Sequence, residues 1–474
     1  MRYPQIRRLT SIEQLRRHVA ELGIDLPLVD EVDPHGALAR PVEIRDGSAG
    51  TRSVPNRFAI LPMEGWDATA DGRPTDLVRR RWRRFGASGA GLVWAEATAV
   101  CPEGRANPHQ LLLDDSTVDD LAALRGLLGP DQLTGLQLTH SGRWSRPEGA
   151  PRPRTAYAHP LLDGRVGAGP DAVLATAELD DLVERYVDAA VLADEAGFDF
   201  VDVKHCHGYL LHELLSARDR EDGYGGDLEG RTRFLRTVVA GIRRRAPGLA
   251  IGVRLSVFDL MPFVPGPDEV GVPEIGGDHP DYPYAFGGDG TGLGTDLSEP
   301  HELLDLVASL GIGLVCTTAG SPYYNPHVQR PAAFPPSDGY RPPEDPLVGV
   351  ARQLAATAEL TGRHPAIRFV GSGYSYLQEW LPHVAQATVE TGGADLVGLG
   401  RMALSYPDLP ARVLAGDVLD GGAICRTLSD CTTAPRNGLV SGCYPLDPFY
   451  KEHPQRVQLT AAKRARRSRT VPDH

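Results

Sequence analysis

Lysine is nearly missing from this chain. Lys204, Lys451 and Lys463 are the only lysines among 49 cationic residues, so arginine carries almost all the positive charge and a lysine inside the fold is conspicuous. Cysteine is scarce too. Six, at 101, 206, 316, 425, 431 and 443, are too few and too scattered over 474 residues for a disulfide framework, and a reducing cytoplasm is the expected compartment. No run reaches the roughly 18 apolar residues of a membrane span. The N-terminal MRYPQIRRLTSIEQL has arginines but no apolar core of about 7–15 residues behind them, so neither secretion nor membrane insertion is expected. A basic excess is absent as well: 62 acidic against 49 basic residues leave a net charge of −13, which argues against nucleic acid or an anionic membrane as a partner. Neither an internal repeat nor a low-complexity tract is present.

What is there suits a folded protein, with 41% hydrophobic and 23% charged residues. From residue 57 onward, short apolar runs alternate with segments of helical period. The runs are 57–62, 91–95, 133–138, 200–203, 250–254, 312–317, 367–371 and 395–399, and the helical segments are 76–88, 118–128, 178–196, 229–245, 299–310, 346–361, 375–391 and 407–415. Strand–helix alternation implies a parallel sheet, and this many units predict an α/β fold of the (β/α)8 TIM-barrel kind. The expected organisation is an N-terminal extension over 1–54, a barrel over 55–415, and a Cys-containing extension with a basic tail over 416–474. The tail beyond 454 reads as a frayed terminus. Long Pro- and Gly-rich loops at 256–298 and 321–345 fall on the C-terminal face of the barrel, where active sites form.

Polar residues at strand ends point into that mouth. Glu64 follows the first strand and Glu96 the second; Gln137, His140 and Arg143 follow the third, Lys204 ends the fourth and Arg254 the fifth. GSG at 371–373 and LGR at 399–401 put backbone N–H groups and an arginine after the last two strands, where barrels commonly hold a phosphate. A lysine at a strand end also meets the minimum for imine formation, so a Schiff-base lyase or aldolase using Lys204 stays open.

Several segments carry a resemblance. PNRFAILPME (55–64), GAGLVWAEATAVCPEGR (89–105), QLTHSGR (137–143), HGYLLHELLSARDREDGYGGDLEGRTRFL (207–235), VRLS (253–256) and ADLVGLGRMALSYPDLP (394–410) occur in the order of the old yellow enzyme family of flavin oxidoreductases, over about 55–412. The resemblance implies a barrel holding FMN, reduction of an activated C=C bond in a small carbonyl, thioester or cyclic compound, and NAD(P)H as electron donor. It assigns Pro62, Met63, Glu64 and Ala97 to the flavin ring, Gln137 to its pyrimidine edge and Arg254 to N1 and O2. Gly371, Ser372, Gly373, Gly400 and Arg401 would hold the phosphate. His207 would hydrogen-bond the substrate carbonyl and Tyr209 would protonate the adjacent carbon, with hydride from flavin N5. Trp66, Tyr323 and Tyr324 are candidate walls of the substrate pocket.

Two departures stand out. Lys204 replaces a histidine that many members use with the next one to grip the carbonyl, and Glu64 stands where Thr or Cys is common; an ion pair between them is expected. Relatives of the 2,4-dienoyl-CoA reductase branch carry an iron–sulfur cluster after the barrel. Here Cys431 and Cys443 keep its last spacing, but Thr427 stands in the place of the second ligand, which excludes an intact four-cysteine site. A relic of that segment, a three-cysteine cluster and a zinc site with His453 stay open. No residues remain for the FAD and NADPH domain of the larger relatives, so electrons are expected from a nicotinamide directly or from a separate donor protein. A homo-oligomer is open, as is a flavin-binding protein without turnover.

Overall fold

The computed structural model describes residues 3–274 and 281–469. Eight parallel strands form a closed barrel in chain order: β1 (Phe58–Ile60), β2 (Leu92–Ala99), β3 (Leu133–Thr139), β4 (Phe200–Val203), β5 (Ala250–Ser256), β6 (Leu314–Thr318), β7 (Arg368–Gly371) and β8 (Leu396–Leu399). Each run read as a strand is one. β8 returns to β1 through Val397↔Phe58, Gly398↔Ala59 and Leu399↔Ile60. All residues of β2, β3 and β5 are buried, because barrel strands are covered by helices outside and by packed side chains within. That double burial is why they read as continuous apolar runs rather than alternating ones.

The outer helices show the complementary pattern. Among them, α1 (Asp76–Gly86), α2 (Thr176–Glu195) and α3 (Arg233–Arg245) each bury one stripe. In α3, Phe234, Leu235, Val238, Val239 and Ile242 recur at helical spacing and are buried, and Phe234 meets Tyr186 of α2 edge to face at 5.4 Å.

Two elements differ from the sequence reading. The polar, Gly-rich stretch before β1 forms an antiparallel hairpin, Val42–Asp46 with Gly50–Val54. Its alternating Val42, Ile44 and Val54 pack with Leu92, Leu133, Ala250, Leu314 and Leu396 at the N-terminal ends of the strands. Asp46 ties it down, accepting from the Ile251 N–H at 3.0 Å and pairing with Arg243. The tail, read as frayed, carries a helix, Arg456–Arg469 (α5), after the short helix Asp430–Arg436 (α4). Leu459 is buried there and Lys463 pairs with Asp430 at 2.5 Å, so a tertiary anchor outweighs the weak local pattern. Arg80 and Arg84 of α1 grip Asp447 at 2.9 and 2.6 Å, fastening the C-terminal segment to the barrel.

Candidate active site

A cavity of about 220 Å³ opens at the C-terminal face. Chain segments from six strand ends and from the C-terminal segment build it. The end of β1 supplies Pro62, Met63, Glu64 and Trp66; β4 supplies Lys204, His207 and Tyr209; β5 supplies Arg254. The loop after β6 adds Tyr323, Gln329 and Arg330, β7 adds Ser372 and Gly373, β8 adds Gly400 and Arg401, and the C-terminal segment adds Cys431, Thr432 and Arg436.

The remaining expected residues lie elsewhere. Ala97 is buried in β2 beside a bulge that leaves Glu96 out of the ladder with β3. Gln137 points its amide N–H at Asp202, 2.5 Å away. Gly371 ends β7 behind the cavity, and the space beside its Cα faces the Tyr374 hydroxyl at 3.0 Å. Tyr324 is turned away, its hydroxyl donating to Asp259 at 2.5 Å. Three strand-end residues prove to be fasteners. Glu96 accepts from Arg81 at 2.8 Å and from the Trp82 indole at 2.8 Å, while Arg81 also grips Asp67 at 2.7 and 2.8 Å. Arg143 is buried between Asp163 and Glu213, and His140 accepts from the Gly142 N–H.

At the β4 wall the expected ion pair does not form. Lys204 is 4% exposed, and its ammonium lies over the Tyr209 ring, 3.8 Å from the centroid. Glu64 instead accepts the indole N–H of Trp66 at 2.7 Å, with Trp66 held at φ 49°. Burial raises the Glu64 carboxyl to about 7, against a partial opposing pull from the Lys204 charge. Burial in turn lowers the ammonium of Lys204.

His207 sits at φ 66°, a left-handed conformation secured by its N–H donating to Ser256 Oγ and by its carbonyl accepting from Ser321 Oγ. Burial, with Arg254 and Lys204 nearby, holds the imidazole well below its ordinary value, so the ring is neutral. Its Nε2 faces Thr318 Oγ at 3.4 Å and the Gln329 amide at 3.2 Å. The Tyr209 hydroxyl is 3.0 Å from that of Tyr323, and burial pushes its pKa well above 10. Tyr323 stacks on Trp144, with centroids 4.4 Å apart and planes 6° from parallel.

The cavity is also lined by cations. Arg254, Arg330 and Arg401 have no carboxylate partner within 4 Å among the described residues, and Arg254 Nε, Arg330 Nε and Nη2, and Arg401 Nη1 are buried with no hydrogen-bond partner. Unpaired buried guanidinium groups are costly. Gly373, at φ 99°, adopts a turn that favours glycine beside them. Arg330, Gln329 and Arg436 were not singled out from the sequence; Gln329 and Arg330 lie at the end of a four-residue helix in the Pro-rich loop and Arg436 closes the short α4, neither of which has a local signal.

Against known proteins, the model of the NADH:flavin oxidoreductase / NADH oxidase family matches residues 44–271. The NADPH dehydrogenase of Bacillus licheniformis is 31% identical over 212 residues, which cover 44% of this chain and 61% of that protein. This chain thus spans about three fifths of the length of that curated relative. Among solved structures, a 2-naphthoyl-CoA reductase in complex with 2-naphthoyl-CoA superposes with a TM-score of 0.67 at 18% identity, covering 88% of this chain and 58% of that one. The old yellow enzyme homologue of Zymomonas mobilis gives a TM-score of 0.54 at 23% identity, covering 81% and 94%. These two likenesses establish the barrel fold. Over residues 44–271 the chain is similar to the NADH:flavin oxidoreductase / NADH oxidase family.

Proposed function

We propose that this chain is an FMN-dependent oxidoreductase that takes electrons from NAD(P)H and reduces an activated C=C bond in a carbonyl, thioester or cyclic or aromatic compound. The observation that carries the reading is the meeting of Tyr209, His207 and Lys204 with three carboxylate-free arginines in one cavity. The cavity fits FMN on its own terms: buried guanidinium atoms lack partners, Gly373 and Gly400 leave backbone exposed to a ligand, and Pro62 and Met63 form an apolar wall. Arg401, Ser372, Gly373 and Gly400 would hold the phosphate and Arg254 the pyrimidine edge. FMN, when bound, supplies a hydride to the acceptor carbon.

The chain's own residues prepare the acceptor. An ammonium and a neutral imidazole on β4 supply N–H donors to a carbonyl oxygen, and the charge of Lys204 adds to its polarisation. Tyr209 keeps its proton until a carbanion-like carbon develops beside it, because burial opposes the phenolate. The aromatic faces of Trp66 and Tyr323 favour a flat acceptor. In this reading residues 55–415 hold the cofactor, and the segment after 415 completes one wall.

The test is an anaerobic visible spectrum of the purified protein before and after NADH or NADPH, followed by a panel of enones, unsaturated acids and thioesters. Flavin absorbance that bleaches with nicotinamide and returns with an acceptor is expected. Flavin that does not bleach would make this a flavin-binding protein without turnover. A colourless protein that takes up no added FMN would overturn the reading and turn attention to imine chemistry at Lys204, which borohydride trapping of an aldehyde would detect.

A further inference from the structure

The phosphate end of the cavity holds one guanidinium more than the sequence pattern accounts for. Arg330 comes from the Pro-rich loop after β6. Arg401 donates through Nη2 to Pro331 O at 2.7 Å, so the two arginines flank one stretch of backbone. Gln353 ties the same stretch to β7: its amide donates to Val328 O at 2.7 Å, and its Oε1 lies 3.3 Å from where a Cβ on Gly373 would stand. Arg330 and Arg401 therefore converge beside the Ser372–Gly373 turn. Three of their N–H-bearing nitrogens, Arg330 Nε and Nη2 and Arg401 Nη1, are buried and unpartnered. Two like charges brought together without an anion repel each other, and burial with the neighbouring arginines lowers the Arg330 guanidinium to about 9.

What holds Arg330 there is the C-terminal segment. Arg330 Nη1 donates to Thr432 Oγ in α4. The segment is stitched to the β6 loop by Ser429 Oγ to Phe334 O at 2.6 Å, Ser337 N to Thr433 Oγ at 3.1 Å, and Arg436 to Asp338 and Pro322 O at 2.6 and 2.8 Å.

We infer that Arg330, held by Thr432, is a second guanidinium for the phosphate of FMN, so that the C-terminal segment sets how tightly the cofactor is retained. The inference rests on the flavin reading above. A phosphomonoester carries close to two negative charges at neutral pH, and one arginine neutralises one of them. Arg401 and Arg330 together match the dianion. The geometry also gives selectivity, since riboflavin lacks the group that the pair is arranged to meet.

The experiment compares FMN and riboflavin binding to the full chain stripped of flavin, by quenching of flavin fluorescence, in the wild type, Arg330→Met, Arg330→Lys and Thr432→Val. Loss of a charge-assisted contact should weaken FMN by about 10–100-fold in Arg330→Met. Riboflavin affinity should stay within about twofold, because it makes no phosphate contact. Arg330→Lys should recover part of the loss, and Thr432→Val should show a smaller one. Circular dichroism melts check that each variant is folded, and unchanged riboflavin binding checks the ring site independently. If Arg330→Met binds FMN as tightly as the wild type, or loses riboflavin equally, the inference is overturned and the flavin reading stands. If the wild type binds neither flavin, the flavin reading itself fails.

Discussion

The hydroxyls of Tyr209 and Tyr323 lie 3.0 Å apart, joining the segment after β4 to the loop after β6 across the mouth of the barrel. Tyr323 is itself fixed by stacking on Trp144. If Tyr209 delivers the proton, Tyr209→Phe should slow oxidation of the reduced flavin by an enone about 10²–10⁴-fold and leave bleaching by NADPH unchanged. Tyr323→Phe keeps the stack and removes one hydrogen bond, so a loss of about fivefold in the same step is expected. Stopped-flow measurement of the two half-reactions separates them.

Glu64 gives the site a pH dependence of known sign. Its carboxyl, raised from 4.5 to about 7 by burial, is neutral below that pH and charged above it. The folded chain then binds the extra proton between about 4.5 and 7, so stability falls as pH rises through that window and levels off above it. Glu64→Gln carries no such penalty. Its gain in stability over the wild type should grow from nothing near pH 4.5 to as much as about 3 kcal/mol by pH 8, read from urea melts at several pH values.

Lys204 and Glu64 are coupled although they do not touch. The ammonium pulls the Glu64 carboxyl down, so Lys204→Met should move the Glu64 transition above its wild-type midpoint of about 7. The pH dependence of NADPH bleaching in the two proteins would show the shift; an unmoved midpoint would mean that the charges are screened from one another.

Arg81 is the keystone under the β1 loop. It satisfies Asp67 and Glu96 at once, and Glu96 also receives the Gly65 N–H at 3.3 Å, next to Glu64. Arg81→Met would leave two buried carboxylates without their cation, and a loss of about 3–5 kcal/mol in chemical denaturation is expected.

Cys431 is the only one of the six cysteines that is partly exposed, and it lines the cavity beside Thr432. Maleimide labelling followed by peptide mass mapping should find it first. Added FMN should protect it, because the ligand fills the space through which the reagent reaches the thiol.

The eight strands were legible because burial on both faces turns each into an apolar run, and a one-dimensional pattern is enough to reveal that environment. The hairpin over Val42–Asp46 and Gly50–Val54 was not, since it buries one face only and offers polar residues on the other. Helix α5 was missed for a related reason: its stability comes from Leu459 and Lys463 meeting α4 and its flank, contacts with no trace in local composition. The Lys204–Glu64 pairing was expected because a buried carboxylate needs a partner and the resemblance put an ammonium across the same mouth. A closer N–H donor on Trp66 and an aromatic face on Tyr209 satisfy the two groups instead.

By itself, then, the sequence determined the barrel, the mouth where polar strand ends gather, and the likeness to flavin oxidoreductases, since each is written in residues that lie close together along the chain. Which of those polar residues face one another, and that Arg330 and the C-terminal segment join them, only the tertiary structure decided. Arg330 and Thr432 are 102 residues apart, and a hydrogen bond between them has no periodicity to announce it; it exists only once the Pro-rich loop and the short α4 are packed over the same end of the barrel.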